Sequence, residues 1–573
     1  MKVIIYPIFF LILISCSKQT ILLPQNNKVL KPSEIKQPLK LSNVNHIIHM
    51  GQSLAAGEQS LPIISTNESI YGNLMFKIGT HTWNNSYFPD QPELRNDSLF
   101  EFVKLKAVKR FEEGETIANG VSDHFTKGLN SEYKLLFSYS GQGGRYLREL
   151  DKIHDDAKDT RAGSRQSKGG YYKTSVNDIL RAKNLSEQKN LSYRVLAITW
   201  MQGEANGQLT LNRWDKSLNR EEFLNNYSND LIQLKNDLQN DISEIVGQKS
   251  TTPFFTYQTG SIAGVAQSIA AKKDNDIYLV GPTYMLPNAE NSNFLYNDMV
   301  RHGDGIHLTA DGERWLGEQF GKVIKRVLID DEDWKPLQPN NAILLDSLTV
   351  KLTFDVPKPP LVIDSLFLPK QGENYGFRIN NTDNIPLILN SVYQDSENSI
   401  ILKSSSAIKD NFTISYGTRP FVKDLDSHKV LEFKRIGLNS HNHEEVKIIL
   451  SGNCLLDPDV SKLLEEGVFY LNTRVQNNIE DFSNLIIRKV FLNEEGNTAF
   501  IGEIKDLYKE KEFKIGQYCY LDRRYSFGNL RDSDDEKSIY KFSDSTYGKR
   551  FGMNYPLWNW CIMFEKFPIN ISK

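Results

Sequence analysis

A serine, an aspartate and a histidine are the residues of this chain that could do chemistry together. Ser53 follows the largely apolar segment 44–50, on a small-residue turn that begins at Gly51. A serine at the carboxyl end of a buried strand is a candidate nucleophile, because ligands bind at that edge of α/β sheets. Asp304 and His307 are three residues apart. The aspartate can fix the tautomer of the histidine, whose other ring nitrogen can then accept the serine proton.

Two other loops offer groups that could stabilise the negative charge of an acyl-transfer intermediate. Gly143 and Gly144 lie in a glycine-rich turn after the apolar segment 134–139, and glycines allow the backbone to approach a substrate closely. Gln202 follows the apolar segment 193–200 after one further residue, Met201, where its side-chain amide could donate to an oxyanion. Each motif alone is typical of an ordinary turn, but their order after consecutive strands favours a hydrolase.

The elements that must position these loops alternate between strand and helix from residue 41 to about residue 330. The segments 253–257 and 277–280 add two more short apolar strands. The apolar residues of 223–245 keep three- and four-residue spacing, which predicts a long amphipathic helix, and a final helix begins at about residue 310. This alternation predicts an α/β fold with three layers and a mostly parallel sheet.

Together these motifs resemble those of the SGNH (GDSL-like) hydrolases, and most of all their carbohydrate-esterase branch, which includes acetyl-xylan esterases and sialate O-acetylesterases. The resemblance covers roughly residues 41–330. The matching motifs are Gly51-Gln-Ser53, Gly143-Gly144, Gln202-Gly-Glu204 and Asp304-x-x-His307. The chain departs from the branch at Leu54, where Asn is usual, and at Arg145, where a small polar residue is common.

The resemblance implies that Ser53 is the nucleophile, His307 the general base and Asp304 the residue that orients it. It also implies an oxyanion hole made by the backbone amides of Ser53 and Gly143 and by the side chain of Gln202. Five further residues are expected to support the site or bind substrate: Gln52, Gly144, Arg145, Glu204 and Gln258. The expected reaction removes O-acetyl groups from an acetylated xylan-type glycan or a sialic acid through an acyl-enzyme, with no metal and no organic cofactor.

Two other functions stay open. One is a glycan-binding lipoprotein built on an inactive hydrolase scaffold, against which the intact set of serine, histidine, aspartate and glutamine argues. The other is a lipase or thioesterase of the same fold. His46 and His49 lie in the first predicted strand and are expected to pack in the core rather than to react.

The N-terminus predicts export and membrane anchoring. A basic start and the apolar run 3–14 fit a signal sequence that is too short to span a membrane. The run ends in Leu-Ile-Ser-Cys16, which resembles a bacterial lipobox, although an ordinary secretory signal with a chance cysteine is the alternative. The resemblance implies that 1–16 is a lipoprotein signal peptide and that Cys16 carries the lipid. Residues 17–40 are then a polar tether to a membrane of the bacterial cell envelope, periplasmic or surface-facing.

After a proline-containing linker, residues 335–573 predict a second, β-rich domain. Strict alternation in 348–354 is typical of a half-buried strand, and similar strands follow, which favours an all-β sandwich. The less regular stretch 419–520, with one helix-like piece at 457–466, is interpreted as an inserted segment. A net charge of −3 gives no reason to expect nucleic acid as a partner.

The cysteines beyond the signal sequence are Cys454, Cys519 and Cys561. Their number is odd, they are widely spaced, and no histidines accompany them at zinc-binding intervals. One disulfide is an option, and a zinc site is not expected.

Overall fold

The structure is a computed structural model. It describes residues 40–83, 97–110, 113–155, 169–207, 220–289, 293–296, 299–302, 306–368, 374–382, 386–418, 422–438, 444–456, 469–473, 485–504, 515–523 and 527–571. Cys16 and Asp304 lie outside these ranges, as do the predicted signal peptide, nearly all of the predicted tether and the helix-like piece at 457–466.

A seven-stranded sheet is built from the first half of the chain. Its strands are β1 (Val44–Gly51), β2 (Leu74–Phe76), β3 (Phe102–Lys104), β4 (Lys134–Gly141), β5 (Tyr193–Met201), β6 (Phe254–Gln258) and β7 (Ile277–Pro282). The spatial order is β3-β2-β4-β1-β5-β6-β7. All neighbours pair in parallel except β2 and β3, which are antiparallel. Every residue of the central strand β1 is buried, as expected for a strand covered on both faces.

Helices flank this sheet, so the predicted three-layer α/β fold is confirmed. They are α1 (Ser53–Ala56), α2 (Ala118–Thr126), α3 (Tyr171–Gln188), α4 (Glu204–Gly207), α5 (Arg220–Val246), α6 (Ile262–Lys273) and α7 (Ala310–Leu328). Helices α3, α5 and α6 form one large core with β1, β5 and β6, while α2 and α7 pack against each other. The inward residues of α5 are the ones that the helical spacing predicts: Phe223, Tyr227, Leu231, Leu234, Leu238 and Ile242.

Between β7 and α7 lies a short hairpin of β8 (Asn293–Tyr296) and β9 (Met299–His302). No helix in the described part of the chain is both long enough and apolar enough to cross a membrane.

The second half of the chain is β-rich, as predicted. Its strands outside the barrel are β10 (Gln338–Asp346), β11 (Thr349–Asp355), β12 (Val362–Ile363), β13 (Phe377–Asn380), β14 (Leu389–Ser396), β15 (Ser399–Ser404), β16 (Thr413–Tyr416), β23 (Leu530–Arg531), β24 (Lys537–Lys541), β25 (Asn554–Pro556), β26 (Phe564–Pro568) and β27 (Asn570–Ile571). A five-stranded sheet, β14-β15-β11-β10-β27, and a three-stranded sheet, β13-β16-β26, enclose one apolar core. The pairs β12–β23 and β24–β25 complete this region.

The stretch interpreted as an insertion forms a closed barrel with a core of its own. Its six strands are β17 (Val422–Leu438), β18 (Glu444–Leu450), β19 (Phe469–Thr473), β20 (Leu485–Leu492), β21 (Thr498–Ile504) and β22 (Tyr518–Arg523). Cys454, Cys519 and Cys561 are all buried, and no disulfide joins them.

The C-terminal segment 534–563 returns to the α/β domain and lies along α7. Tyr547 hydrogen-bonds to Thr309, the residue that caps the start of α7, at 2.7 Å between hydroxyl oxygens. The buried ammonium of Lys322 donates to Asn559 Oδ1 at 2.7 Å. Successive turns of α7 therefore hold the C-terminal segment through hydrogen bonds and ion pairs in addition to apolar contacts.

Charged side chains join the two regions where α2 and α7 meet this segment. Arg326 donates to Asp534 and to Glu536, each at 2.8 Å. The ring of His124 lies between Glu318, at 3.2 Å, and Glu536, at 2.9 Å. Burial opposes charge on this imidazole, but the bonds to the two carboxylates outweigh it and raise the pKa of His124.

Candidate active site

Strand register brings three of the predicted catalytic loops to one edge of the sheet. Gly51 at the end of β1 is paired with Gly141 at the end of β4 and with Met201 at the end of β5. Parallel strands in this register release their following loops side by side. Ser53, the loop of residues 141–145 (the glycine loop) and Gln202 therefore start from neighbouring backbone positions.

Ser53 begins the single turn of α1 and is 5% exposed. The turn requires glycine at position 51, where φ is +155° and a side chain would run into the carbonyl of Met201. The backbone then reverses, and the amide of Gln52 donates to the same carbonyl at 3.0 Å. Leu54 is buried.

The loop that carries His307 is fastened to the chain that follows Ser53. Ser60 Oγ donates to the carbonyl of Leu308 at 2.9 Å, and the amide of Ala289 donates to the carbonyl of His307 at 2.7 Å. Within the described residues no hydrogen bond joins Ser53 Oγ to the His307 ring. Catalytic hydrogen bonds are often long in structures without substrate.

A carboxylate that the sequence analysis did not include lies between these loops. Glu58 Oε2 is 3.8 Å from His307 Nε2, and the Glu58 amide donates to the Ser53 carbonyl at 3.0 Å. Its carboxylate fills the space that a side chain on residue 143 would occupy. Glu58 therefore contacts the glycine loop and approaches the histidine from a position next to the serine turn.

Gln202 is completely buried and tied into the protein through both ends of its amide. Its Nε2 faces three acceptors: Asn206 Oδ1 at 2.7 Å, the Arg145 carbonyl at 2.9 Å and Gln52 Oε1 at 3.2 Å. Its Oε1 accepts from the hydroxyl of Tyr227 at 2.8 Å. Since an NH₂ group has two hydrogens, a substrate oxyanion must displace one of these acceptors, and Gln52 is the most distant.

The conformation of Gly144 and the hydrogen bonds of Arg145 shape the glycine loop. Gly144 has φ of +67°, in the left-handed region that favours glycine. Arg145 points inward rather than toward a substrate: it is 2% exposed, donates through Nε to Tyr171 Oη at 2.9 Å and through Nη2 to Gln142 Oε1 at 2.7 Å.

Glu204 is a buried carboxylate whose charge acts on His307. One of its oxygens accepts from Tyr257 Oη at 2.5 Å and from Thr259 Oγ1 at 2.6 Å, and the other accepts no hydrogen bond from the described residues. Burial raises the pKa of Glu204, although these hydrogen bonds and the charge of His307 oppose the rise. The carboxyl of Glu313 on α7 is also buried, and its pKa is raised well above the ordinary value by burial and by the charges of Glu115 and Glu204.

A second histidine–carboxylate pair contacts the backbone at the start of the glycine loop. His81 Nδ1 lies 2.7 Å from Glu113 Oε2, and its Nε2 lies 3.1 Å from the carbonyl of Gly141. Both neighbouring oxygens accept hydrogen bonds, which favours the protonated ring. Burial has the larger effect and lowers the pKa of His81 against the opposing effect of Glu113.

Gln258 and the two histidines of β1 have structural partners. Gln258 Nε2 donates to the carbonyl of Met563 at 3.0 Å, and its Oε1 accepts from the Met563 amide at 2.7 Å, so it joins β6 to the C-terminal segment. His46 and His49 are buried as predicted, and burial lowers the pKa of each to about 3. The described residues contain no group of three His, Cys, Asp or Glu side chains arranged to hold a metal ion.

No family model and no curated protein sequence matches the chain. Several solved structures are similar to it. A carbohydrate acetylesterase from Xanthomonas citri is 13% identical, with 65% of this chain and 75% of that one covered and a TM-score of 0.43. NanS is 12% identical over 50% of this chain and 98% of its own, with a TM-score of 0.35. A protein from Arabidopsis thaliana is 14% identical over 49% and 97%, with a TM-score of 0.31.

Sequence reasoning missed Glu58 and His81 as residues of this site. Glu58 carries a local signal, because a carboxylate five residues after the candidate nucleophile Ser53 has to lie near it. No such signal exists for His81, which reaches the glycine loop only because the chain after β2 runs beside β4, where residue 81 pairs with Tyr139.

Proposed function

We propose that this chain is a serine esterase that removes O-acetyl groups from a carbohydrate. The observation that carries the proposal is the common edge at which the ends of β1, β4 and β5 present Ser53, the glycine loop and Gln202, with the His307 loop fastened beside them. The resemblance of the four motifs to the carbohydrate-esterase branch of the SGNH hydrolases supports the choice of an O-acetylated sugar.

In the first half of the reaction, Ser53 Oγ attacks the ester carbonyl carbon while His307 takes the hydroxyl proton. The carbonyl π bond becomes an oxyanion, which the backbone amides of Ser53 and Gly143 and the Gln202 side chain stabilise. The intermediate collapses, the bond to the sugar oxygen breaks, and the imidazolium returns its proton to that oxygen.

In the second half, water attacks the acetyl carbon and gives a proton to His307. The bond to Ser53 Oγ breaks, the serine recovers its proton, and acetate leaves. Asp304, placed by its spacing in the sequence, fixes the histidine tautomer. The buried carboxylate of Glu204 adds a negative charge that favours the imidazolium formed in each half.

The test is to compare Ser53→Ala with the wild-type protein in acetate release and in labelling by a serine-directed phosphonate. Ser53→Ala should lose turnover and labelling but keep its fold, because a turn serine contributes little packing. Mass spectrometry of the labelled wild-type peptide should find the adduct on Ser53. An adduct on another serine, with matching loss of activity, would contradict the proposal.

Substrate choice separates the remaining functions. Acetate release from acetylated xylan or O-acetylated sialic acid supports the carbohydrate esterase, whereas turnover confined to long-chain esters or thioesters indicates a lipase or thioesterase. Glycan binding by wild-type protein that neither turns over substrate nor is labelled indicates an inactive scaffold.

The matched control for Ser53→Ala is Ser122→Ala, because Ser122 is a buried serine on α2, outside the proposed catalytic loops.

We also propose that the protein acts while lipid-anchored through Cys16 to a membrane of the bacterial cell envelope. The support is the lipobox-like end of the apolar run 3–14. Expression in a bacterium with labelled palmitate should label the wild-type chain and leave Cys16→Ser unlabelled. Equal labelling of the two would contradict the anchor.

A further inference from the structure

The carboxylate of Glu58 occupies the centre of the candidate site but has no part in the reaction described above. It lies against the backbone of Gly143 and 3.8 Å from His307 Nε2. Its side chain is 26% exposed, so part of it can be reached from solvent. Any sugar whose ester carbonyl lies between Ser53 and Gly143 must pass close to this carboxylate.

Two carboxylates act at this position, and the guanidinium of the glycine loop points away from it. The position is therefore suited to accept hydrogen bonds from a ligand rather than to bind an anion. Glu58 is acceptor-only when ionised, and the second carboxylate that acts on His307 is Glu204. The guanidinium of Arg145, in the glycine loop, is turned toward Tyr171, and its Nη1 is 3.9 Å from Glu149 Oε1. Its positive charge is therefore directed into the protein, away from an incoming carboxylate.

We propose that Glu58 is a specificity-determining residue that selects uncharged O-acetylated sugars over acidic ones. Its carboxylate accepts a hydrogen bond from a free hydroxyl next to the ester and repels a sugar that carries its own carboxylate. Like charges brought together at a binding site suppress the wrong partner more strongly than a hydrogen bond favours the right one. The inference rests on the proposed esterase activity and narrows its two substrate classes to the neutral one.

The experiment measures kcat/KM of the full chain on three acetates. The first is 4-nitrophenyl acetate, which has neither hydroxyls nor charge. The second is a mono-O-acetylated xylo-oligosaccharide, which is neutral and keeps a free hydroxyl beside the ester. The third is 9-O-acetylated sialic acid, which is an anion. The wild-type protein should prefer the neutral sugar to the acidic one by about tenfold or more.

Two substitutions test whether Glu58 causes the preference. Glu58→Gln keeps the shape and removes the charge, and it should reduce the ratio of neutral to acidic turnover by about tenfold. Glu58→Asp keeps the charge and should retain most of the preference. The control is Glu101→Gln, which removes an exposed carboxylate 3.7 Å from the ammonium of Lys77 and should leave the ratio at the wild-type value.

The outcomes separate this inference from the proposed function. Wild-type protein that cleaves the sialic acid ester at least as well as the neutral one overturns the role of Glu58 but not the esterase. A ratio unchanged within about twofold in folded Glu58→Gln does the same. If Glu58→Gln does not fold, the wild-type ratio and Glu58→Asp still decide. Release of acetate from none of the three substrates overturns the esterase, and this inference with it.

Discussion

Replacing Gln202 by alanine separates its structural role from the catalytic role proposed for it. The side chain makes two donated hydrogen bonds and accepts one, from Tyr227. At about 1 kcal/mol for each bond, Gln202→Ala should lower the free energy of unfolding by roughly 3 kcal/mol, with a further loss from the cavity. As a donor to the oxyanion, its loss should also slow turnover by roughly a hundred- to a thousandfold.

The assay combines urea unfolding with turnover of 4-nitrophenyl acetate per folded molecule. Gln248→Ala is the matched control, because Gln248 makes three hydrogen bonds to Val195 and Thr252 at the opposite end of β5. It should lose stability and keep its turnover. If folded Gln202→Ala turns over within about tenfold of wild type, the glutamine only holds the loops together, and the oxyanion hole consists of backbone amides alone.

Three other predictions test the chemistry and the contacts of α2 and α7 with the C-terminal segment 534–563. Activity should survive EDTA, since the catalytic half of the sequence carries no Cys/His ligand cluster with metal spacing; loss on chelation that zinc or calcium restores would contradict this. Activity should rise with pH through a single ionisation near neutrality, because His307 must be neutral to act as a base, and a flat profile from about pH 5 to 8 would argue against it. The pKa of His124 is raised in the folded state, so its stabilisation is complete below its ordinary pKa of about 6.5 and declines as pH rises through the folded value. His124→Gln should therefore cost most, about 1–3 kcal/mol, near pH 6 in urea unfolding and progressively less at higher pH, whereas a pH-independent difference would count against the ion pairs with Glu318 and Glu536.

The sheet and its order of loops were predictable because their signals are local. The five apolar segments of the first half each became a strand within two residues of the predicted bounds, since a buried parallel strand must be apolar on both faces. Gly51 and Gly141 also mark where β1 and β4 stop. The strands β2 and β3 had no such signal, because each is only three residues long.

The barrel and the directions of side chains could not be predicted in this way. The strand β17 carries charges on much of its length, and its pairing with β22 joins residues about a hundred positions apart, which no window of sequence reports. Arg145 stood in a loop expected to face substrate, but its side chain turned inward because Tyr171 and Gln142 offer it partners there. The approach of Glu58 to His307 likewise depends on two loops that the sequence separates by 249 positions.

The contacts between α7 and the segment 534–563 also have a consequence for the order in which the protein matures. Residues 534–563 are synthesised after α7, yet they hold the cap at Thr309 and the end of β6 at Gln258. The His307 loop is already bonded to Ser60 and Ala289, but the start of α7, two residues further on, gains its bond only once Tyr547 has been made. A chain truncated before residue 534 therefore lacks these bonds, and its first turn of α7 should be less firmly held beside the His307 loop.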